Sequence, residues 1–436
     1  MLVRSLRLRN FRNYTAQEIV LPPGLVALTG DNGQGKTNLL EALCVLATTK
    51  SPLVERDREL IRWDAQDAKL SAEIELSAGG RTEKRVLEYG WRVGSETGNA
   101  RSATIQREMR AGGVPQSALT SWLGQMQVVA FFPHDLVIIT GEPGERRRFL
   151  NLELGKSRPA HFADAARYRR SLQQRNALLK HLAEHRSRGR GPMGNASEGL
   201  GTLSEWNRQL IAYGARIFAQ RAQFLGELAP IVADVHRQLS GREEEFVVQY
   251  APGVKRASQP AHEYSYAGAS EAWGAIFASS LEADHEGDTR RGTTQSGPHR
   301  DDLVFKLGEM DLRRYGSQGQ QRLAVLALKV ALAKWVEQVT GESPILLLDD
   351  ALSELDATRR ARLLQQASSF KQSVLTATDL KLLEGSSPSL FQVEAGRVSI
   401  VESHRLSVVQ AHEKNTMENE KADQADCAVD NIGATA

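Results

Sequence analysis

Leu25-Val26-Ala27-Leu28-Thr29-Gly30-Asp31-Asn32-Gly33-Gln34-Gly35-Lys36-Thr37-Asn38-Leu39-Leu40-Glu41-Ala42-Leu43 is the stretch that decides the fold. Its residues 30–37 read G-x-x-x-x-G-K-T, the phosphate-binding loop motif. Both flanks agree: 25–28 is the apolar run of a buried strand, and from Asn38 onward apolar residues recur at helical spacing. Gly30, Gly33 and Gly35 let the loop, with Asp31, Asn32 and Gln34, turn its N–H groups toward phosphate oxygens. Those donors lie at a helix N-terminus, whose dipole also favours an anion. Lys36 is placed to reach the β- and γ-phosphates, and the Thr37 hydroxyl to ligate Mg²⁺. A chance glycine-rich turn would have to match eight positions and both flanks at once. The chain is expected to bind a nucleoside triphosphate.

A length of 436 residues implies two or three domains. Cys44 lies in the helix after the loop and Cys427 in a polar tail, so no disulfide framework is expected, in keeping with a reducing cytoplasm. The first residues do not read as a signal peptide, and no apolar run approaches the length of a membrane span, so no membrane segment is expected. The formal charge of +2 is unevenly spread. Residues 402–436 carry seven acids and three bases, a net of −4 that leaves the body near +6, and read as a disordered tail.

Upstream of the loop, Leu6 and Leu8 alternate with Arg7 and Arg9 as an edge or half-buried strand. Residues 69–78 and 84–93 read as strands of a meander, 94–113 as a long polar loop, and 128–132 as a buried strand. From residue 146 the character changes: 146–190 holds 13 Lys and Arg against Glu153, Asp164 and Glu184. Leucines at helical spacing make 146–240 an antiparallel helical pair, with 186–202 a mobile tip. The division expected is a head from 1–145 and 293–401, an inserted arm at 146–292, and the tail.

Ile345-Leu346-Leu347-Leu348-Asp349-Asp350 is an apolar strand ending in two acids, as in a Walker B motif. Asp349 is then placed to hold Mg²⁺, and Asp350 to orient or deprotonate the attacking water. Before it, Tyr315-Gly316-Ser317-Gln318-Gly319-Gln320-Gln321-Arg322 opens a long helix, a second N-terminus able to cap phosphate. Ahead of a Walker B strand, Ser317, Gln318, Gly319 and Gln320 match the signature motif of ATP-binding-cassette (ABC) ATPases, which completes the nucleotide site of an opposite subunit. Ser353-Glu354-Leu355-Asp356 stands at the D-loop position, making Asp356 a further candidate, and Thr378 stands where transporters carry histidine.

These segments resemble the RecF family of bacterial replication and repair proteins. The match includes Leu8-Arg9-Asn10-Phe11-Arg12-Asn13-Tyr14, the phosphate loop, Gly141-Glu142-Pro143-Gly144-Glu145-Arg146-Arg147-Arg148-Phe149-Leu150 and Gln174-Arg175-Asn176-Ala177-Leu178-Leu179-Lys180. Ser296-Gly297-Pro298-His299-Arg300-Asp301-Asp302 and the signature, Walker B and D-loop segments complete it, in family order. The resemblance implies an α/β fold: an ABC/SMC-type P-loop ATPase head with an inserted helical arm domain. It also implies ATP-dependent homodimerisation, slow DNA-stimulated hydrolysis used as a switch, and action at single-strand gaps or duplex junctions. Recombinase loading with RecR and RecO, and a role in the SOS response to DNA damage, would follow. Three departures stand out: Asn151 where the family usually has Asp, Phe132 where Ser is common, and longer loops and tail.

Arg146, Arg147, Arg169, Arg170 and Arg175 are the candidate DNA contacts, since cationic stripes give sequence-tolerant, salt-sensitive phosphate binding. The alternative is a solvated helix face, with Arg146 and Arg147 staying at the ATP site or holding the arm to the head. His299 reads as part of a structural hinge, because no second His or Cys has ligand spacing nearby. Arg9 and Arg12 either approach the nucleotide or lie exposed. Two rival functions are a transporter ATPase, which the basic arm speaks against, and a chromosome-organising SMC-like ATPase, for which the arm is short.

Overall fold

The computed structural model of the chain describes residues 1–78, 81–94, 105–187, 196–254 and 269–401. The tail 402–436 with Cys427, and the centres of both long loops, lie outside those residues.

The apolar run at 25–28 becomes the strand Gly24–Thr29 of a six-stranded sheet. The strand order is Arg397–Ile400, Ser389–Glu394, Gly24–Thr29, Gln372–Ala377, Ile345–Leu348 and Val128–Phe131. Every pairing is parallel except the outermost, between Ser389–Glu394 and Arg397–Ile400. A parallel sheet is covered on both faces, which is why its strands read as unbroken apolar runs. Val26, Leu28, Ile345 and Leu347 face one core with Leu39, Leu40 and Leu43 of the phosphate-loop helix Lys36–Thr48. Leu25, Ala27, Leu346 and Leu348 face a second core built around the helix Gln318–Thr340, which is buried on nearly every side. Register sets Leu348 beside Phe131 and Leu375, and Ala377 beside Thr29. The carboxyl ends of these strands therefore finish along one edge, where α/β sheets present their ligand crevice.

An antiparallel sheet covers the other side of the phosphate-loop helix, in the order Tyr14–Val20, Leu2–Phe11, Asp67–Ala78, Arg81–Val93, Ile105–Ala111 and Val114–Pro115. Leu2–Phe11 is the half-buried strand of the two alternatives, with Leu6 and Leu8 inward and Arg7 and Arg9 outward; it lies inside the sheet, with Tyr14–Val20 as the edge. One expectation is corrected: 94–113 is not one loop, since Ile105–Ala111 pairs along Arg81–Val93, and Gly112 and Gly113 at φ 57° and 79° turn it into Val114–Pro115. The polar run Gln106-Arg107-Glu108 hides that strand, because cross-strand pairing rather than burial holds it.

The arm consists of Pro143–Ser157, Ala160–Ser187 and Ala196–Ser240. Residues 186–187 and 196–202 are helical, where the glycine- and serine-rich composition had suggested loop. The last helix has 45 residues, about 68 Å at 1.5 Å per residue. It pairs with Ala160–Ser187 and then enters the head, where Phe224, Leu225, Leu228, Val232, Val235 and Leu239 join the second core. Phe224 meets Trp335 edge-on at 4.7 Å. Among the described residues no helix is long and apolar enough to cross a membrane.

Of the candidate DNA contacts, Arg146 takes its alternative role of holding the arm to the head, and Arg175 is turned inward to hold the fold. Arg146 is 1% exposed, with Nη2 3.0 Å from Asp302 and Nη1 2.8 Å from the carbonyl of Gly141. Arg175 is fully buried; its Nη1 donates at 2.7 Å to both Asp288 and Thr294, and its Nε to Asn207. A buried guanidinium persists only when paired and hydrogen-bonded. Neither side chain can reach a DNA phosphate. Removing the partner of Arg175 strands its charge, so Asp288→Ala should cost about 3–5 kcal/mol in urea unfolding. A surface change such as Arg170→Gln should cost less than about 0.5 kcal/mol.

Burial pushes the rings of His161 and His236 down to about 4. Each is neutral in the fold and protonates in the unfolded chain below about pH 6.5. Their stabilising contribution is complete above that pH and is lost as pH falls toward 4, about 2 kcal/mol each at pH 5. His236 packs against Phe246 at 5.0 Å and its Nδ1 has no partner among the described residues. His236→Phe should therefore flatten the fall in urea stability between pH 7 and pH 5 by about 2 kcal/mol; an unchanged slope would contradict its neutral state.

Candidate nucleotide-binding site

The phosphate loop needs glycine where the chain bends most. Gly30 lies at φ 136°, and a Cβ there would strike the carbonyl oxygen of Val393. Gly35 lies at φ 115°, where a Cβ would come within 2.6 Å of the Asn13 amide and 2.9 Å of the Tyr14 hydroxyl. Those two neighbours brace the loop. Asn13 donates to the carbonyl of Gln34 at 2.9 Å and accepts from Asn38 at 2.9 Å, while the Tyr14 hydroxyl donates to the carbonyl of Gly35 at 3.0 Å. On the far side, the Gln34 side chain accepts from the N–H of Ala395 at 2.7 Å.

Lys36 folds back over its own loop, donating to the carbonyls of Gly30 and of Asp31, the latter at 2.8 Å. Burial presses this ammonium below its ordinary range, and the charge of Asp349 opposes that shift. Thr37 donates its hydroxyl to both oxygens of Asp349 at 3.0 Å, and Thr376 donates to one of them at 3.0 Å. Asp349 is 5% exposed; burial raises its carboxyl, while the two hydroxyls pull it down. Hydroxyl and carboxylate oxygens are the hard donors that Mg²⁺ takes, and a buried anion gains from a cation, so these residues fit that ion.

Asp350 has a left-handed φ of 48°, with its N–H donated to Thr376 at 2.8 Å and its carbonyl accepting from Arg322. Pinned at both ends, its carboxylate is half-exposed. Asn32, Gly33, Gly35, Lys36, Thr37, Asp349, Asp350 and Thr378 line one open cavity of about 300 Å³. That space can take a polyphosphate against the loop, with carboxylates at its far wall. Asp31 is exposed and does not line it.

The remaining candidates stand apart from it. Ser317 caps the helix Gln318–Thr340 and forms a capping box with Gln320: its Oγ accepts from the Gln320 N–H at 3.3 Å, and the Gln320 side chain accepts from its N–H at 2.9 Å. Ser317, Gln318 and Gly319 are exposed, and none of them lines the cavity. Asp356 caps the helix Ala357–Ser368 through the N–H of Arg359 at 2.9 Å. Arg12 turns away from the loop to a bidentate pair with buried Glu41, at 2.7 and 2.6 Å, and Arg9 pairs with Asp67. Burial pushes the Cys44 thiol up to about 12, which leaves it inert. In the arm, Arg169 and Arg170 are exposed and Arg147 half-buried. Asn13, Tyr14, Thr376 and Arg322 support the site without any role assigned from sequence.

A family model described as the RecF/RecN/SMC N terminal domain matches residues 2–397. The DNA replication and repair protein RecF of Thermomicrobium roseum is 38% identical, covering 91% of this chain and 99% of its own. That of Chloroflexus aggregans is 36% identical with the same coverage. A solved RecF–ATP structure of the RecFOR pathway superposes with a TM-score of 0.75 at 26% identity, covering 92% and 99% of the two chains. The Smc head of Pyrococcus furiosus, at 13% identity and a TM-score of 0.50 over 95% and 99%, shares the fold alone.

If the Asn13 braces shape the loop, Asn13→Ala should weaken binding of a fluorescent ATP analogue about tenfold, the worth of one or two hydrogen bonds, with little change in melting temperature. Unaltered affinity would make the brace dispensable. With the phosphate loop, the Walker B strand and the capped signature helix in one head, and relatives aligned over nearly their whole length, the chain belongs to the RecF family of DNA replication and repair proteins.

Proposed function

We propose that the chain works as an ATP-gated dimeric clamp on DNA in replication and recombinational repair. The observation that carries this reading is a division of labour within one chain. The phosphate loop lines a cavity, whereas the signature helix presents its start elsewhere, with the N–H groups of Gln318 and Gly319 free of partners among the described residues. Free first-turn N–H groups favour an anion. ATP held by residues 30–37 of one head would be covered by Ser317, Gln318, Gly319 and Gln320 of another, with Asp356 near the contact. The heads would be residues 1–145 and 293–401, with the arm inserted at 146–292 and rooted in the head's core through Phe224 to Leu239 of its long helix.

Lys36 would exchange its loop carbonyls for the β- and γ-phosphates. Thr37 and Asp349 would hold Mg²⁺, which when bound offsets phosphate charge. Asp350, half-exposed at the cavity wall, would orient the attacking water and accept its proton. Closure is then a population shift driven by the γ-phosphate, and slow hydrolysis reverses it. Of the five candidate arginines, Arg147, Arg169 and Arg170 remain for duplex or gapped DNA. Relatives solved within the RecFOR pathway support RecR and RecO as partners, and a cytoplasmic location goes with work on chromosomal DNA.

Sedimentation without nucleotide and with ATP–Mg²⁺, each with and without a gapped duplex, tests the reading. A monomer that dimerises only with ATP and then holds DNA is expected. Lys36→Ala should lose ATP binding, and Asp350→Asn should keep ATP and remain dimeric. Equal DNA binding by a monomer without ATP would sink the gating mechanism.

A further inference from the structure

A second cleft, of about 210 Å³, opens where the arm meets the head. Arg147 and Asn151 come to it from Pro143–Ser157, Tyr168 and Arg169 from Ala160–Ser187, Arg221 from the long helix, and His299 from the turn before Asp301. Three guanidinium groups thus share one small space.

Few negative charges answer them. Arg221 is 3% exposed; it pairs with Asp301, donates to the carbonyl of Pro298 at 2.8 Å and to Asn151 at 2.9 Å, and its buried Nε has no partner among the described residues. Asp301 also accepts from Tyr250 at 2.6 Å and from the N–H of Gly253 at 2.7 Å. The neighbouring Asp302 is taken by Arg146. Among the described residues, Arg147 donates only to the carbonyl of Asp301, at 2.9 Å, and Arg169 has no ion pair or hydrogen bond. His299 adds no carboxylate: its ring joins the Tyr168 hydroxyl at 2.7 Å and the carbonyl of Thr294 at 3.1 Å. Burial and the charge of Arg221 press Arg147 below its ordinary range, a strain an incoming anion would relieve. Asn151 is the telling neighbour, because its Oδ1 accepts from both Arg221 and His161, at 2.9 and 3.1 Å, yet carries no charge.

We propose that this cleft binds a phosphoryl group, held by Arg147 and Arg169 at its mouth and by Arg221 at its base. Guanidinium forks match phosphate oxygens in pairs. The source of that phosphate rests on the clamp reading: a DNA backbone reaching the arm's root, as against a free phosphate ion.

Two variants test it. Arg169→Gln alters an exposed side chain and leaves the fold intact, and Asn151→Asp puts a carboxylate beside Arg221. Inorganic phosphate should raise the melting temperature of the unaltered protein more than that of either variant, the phosphate loop being common to all three. With ATP present, Arg169→Gln should reduce the slope of log affinity for duplex DNA against log salt by about one, and Asn151→Asp should weaken binding about tenfold. A response in the DNA arm assigns the site to a backbone phosphate. A response to phosphate ion alone assigns it to a free ion and overturns the DNA source. If the unaltered protein binds DNA and neither variant differs in either arm, the site is refuted and the clamp stands. If the unaltered protein binds no DNA, the clamp reading and the backbone source fall together, and the phosphate titration alone decides the cleft.

Discussion

Two hydroxyl groups on one buried carboxylate carry this architecture. Burial raises the carboxyl of Asp349 at 5% exposure, and the hydroxyls of Thr37 and Thr376, which donate to it, work against that shift. Thr37 lies 312 residues away in sequence and Thr376 lies 27. They arrive together because Gly24–Thr29, Gln372–Ala377 and Ile345–Leu348 run parallel and in register. A slip of one residue in any of these strands would send its core side chains to the other face. The same slip would move a hydroxyl away from the carboxylate. Register is thus set by two apolar cores at once, and the site inherits its geometry from them.

Chemistry that is local in sequence was legible in the sequence. The phosphate loop, the Walker B strand and the capped signature helix each depend on neighbours within a few residues, so spacing alone locates them. The arm arginines depend on direction, and composition counts charges without directing them. Yet a signal was there. Arg146 stands three, four and eight residues before Phe149, Leu150 and Leu154, all buried, so it lies on the apolar stripe of its helix. Arg175 likewise follows Tyr168 by seven and Ser171 by four, and precedes Leu179 by four, all buried. An arginine on an inward stripe is a candidate for a buried pair before it is a candidate for DNA. Exposed Arg169 and Arg170 fall off that stripe.

The supports of the site were not legible, because each is a contact between distant segments. Asn13 reaches the phosphate loop from a tight turn in which Asn10 and Arg12 take φ of 51° and 52°. Nothing near residue 13 says what that amide will meet. Arg12, one residue earlier, closes instead on Glu41 in the phosphate-loop helix. Turn and loop are therefore fastened twice, once through charge and once through amide bonds. A loop that must hold its N–H groups inward without phosphate needs such external fastening.

Arg322 shows how the separated halves of the site communicate within one chain. It lies in the first turns of the signature helix, is 3% exposed, and reaches the carbonyl of Asp350, the carboxylate of Glu354 at 2.7 Å, and the face of Phe131 at 5.8 Å. The start of that helix is consequently tied to the turn that carries Asp350. The helix itself is clamped by the second core along its length, so it resists bending and moves as a body. A ligand engaging Ser317 would meet a well-packed element that Arg322 ties directly to the Walker B turn. Asp350 already sits there in a left-handed conformation that few residues adopt readily. Strain and linkage coincide at the one carboxylate that is both half-exposed and at the cavity wall. Its position therefore depends on the signature helix as much as on its own strand.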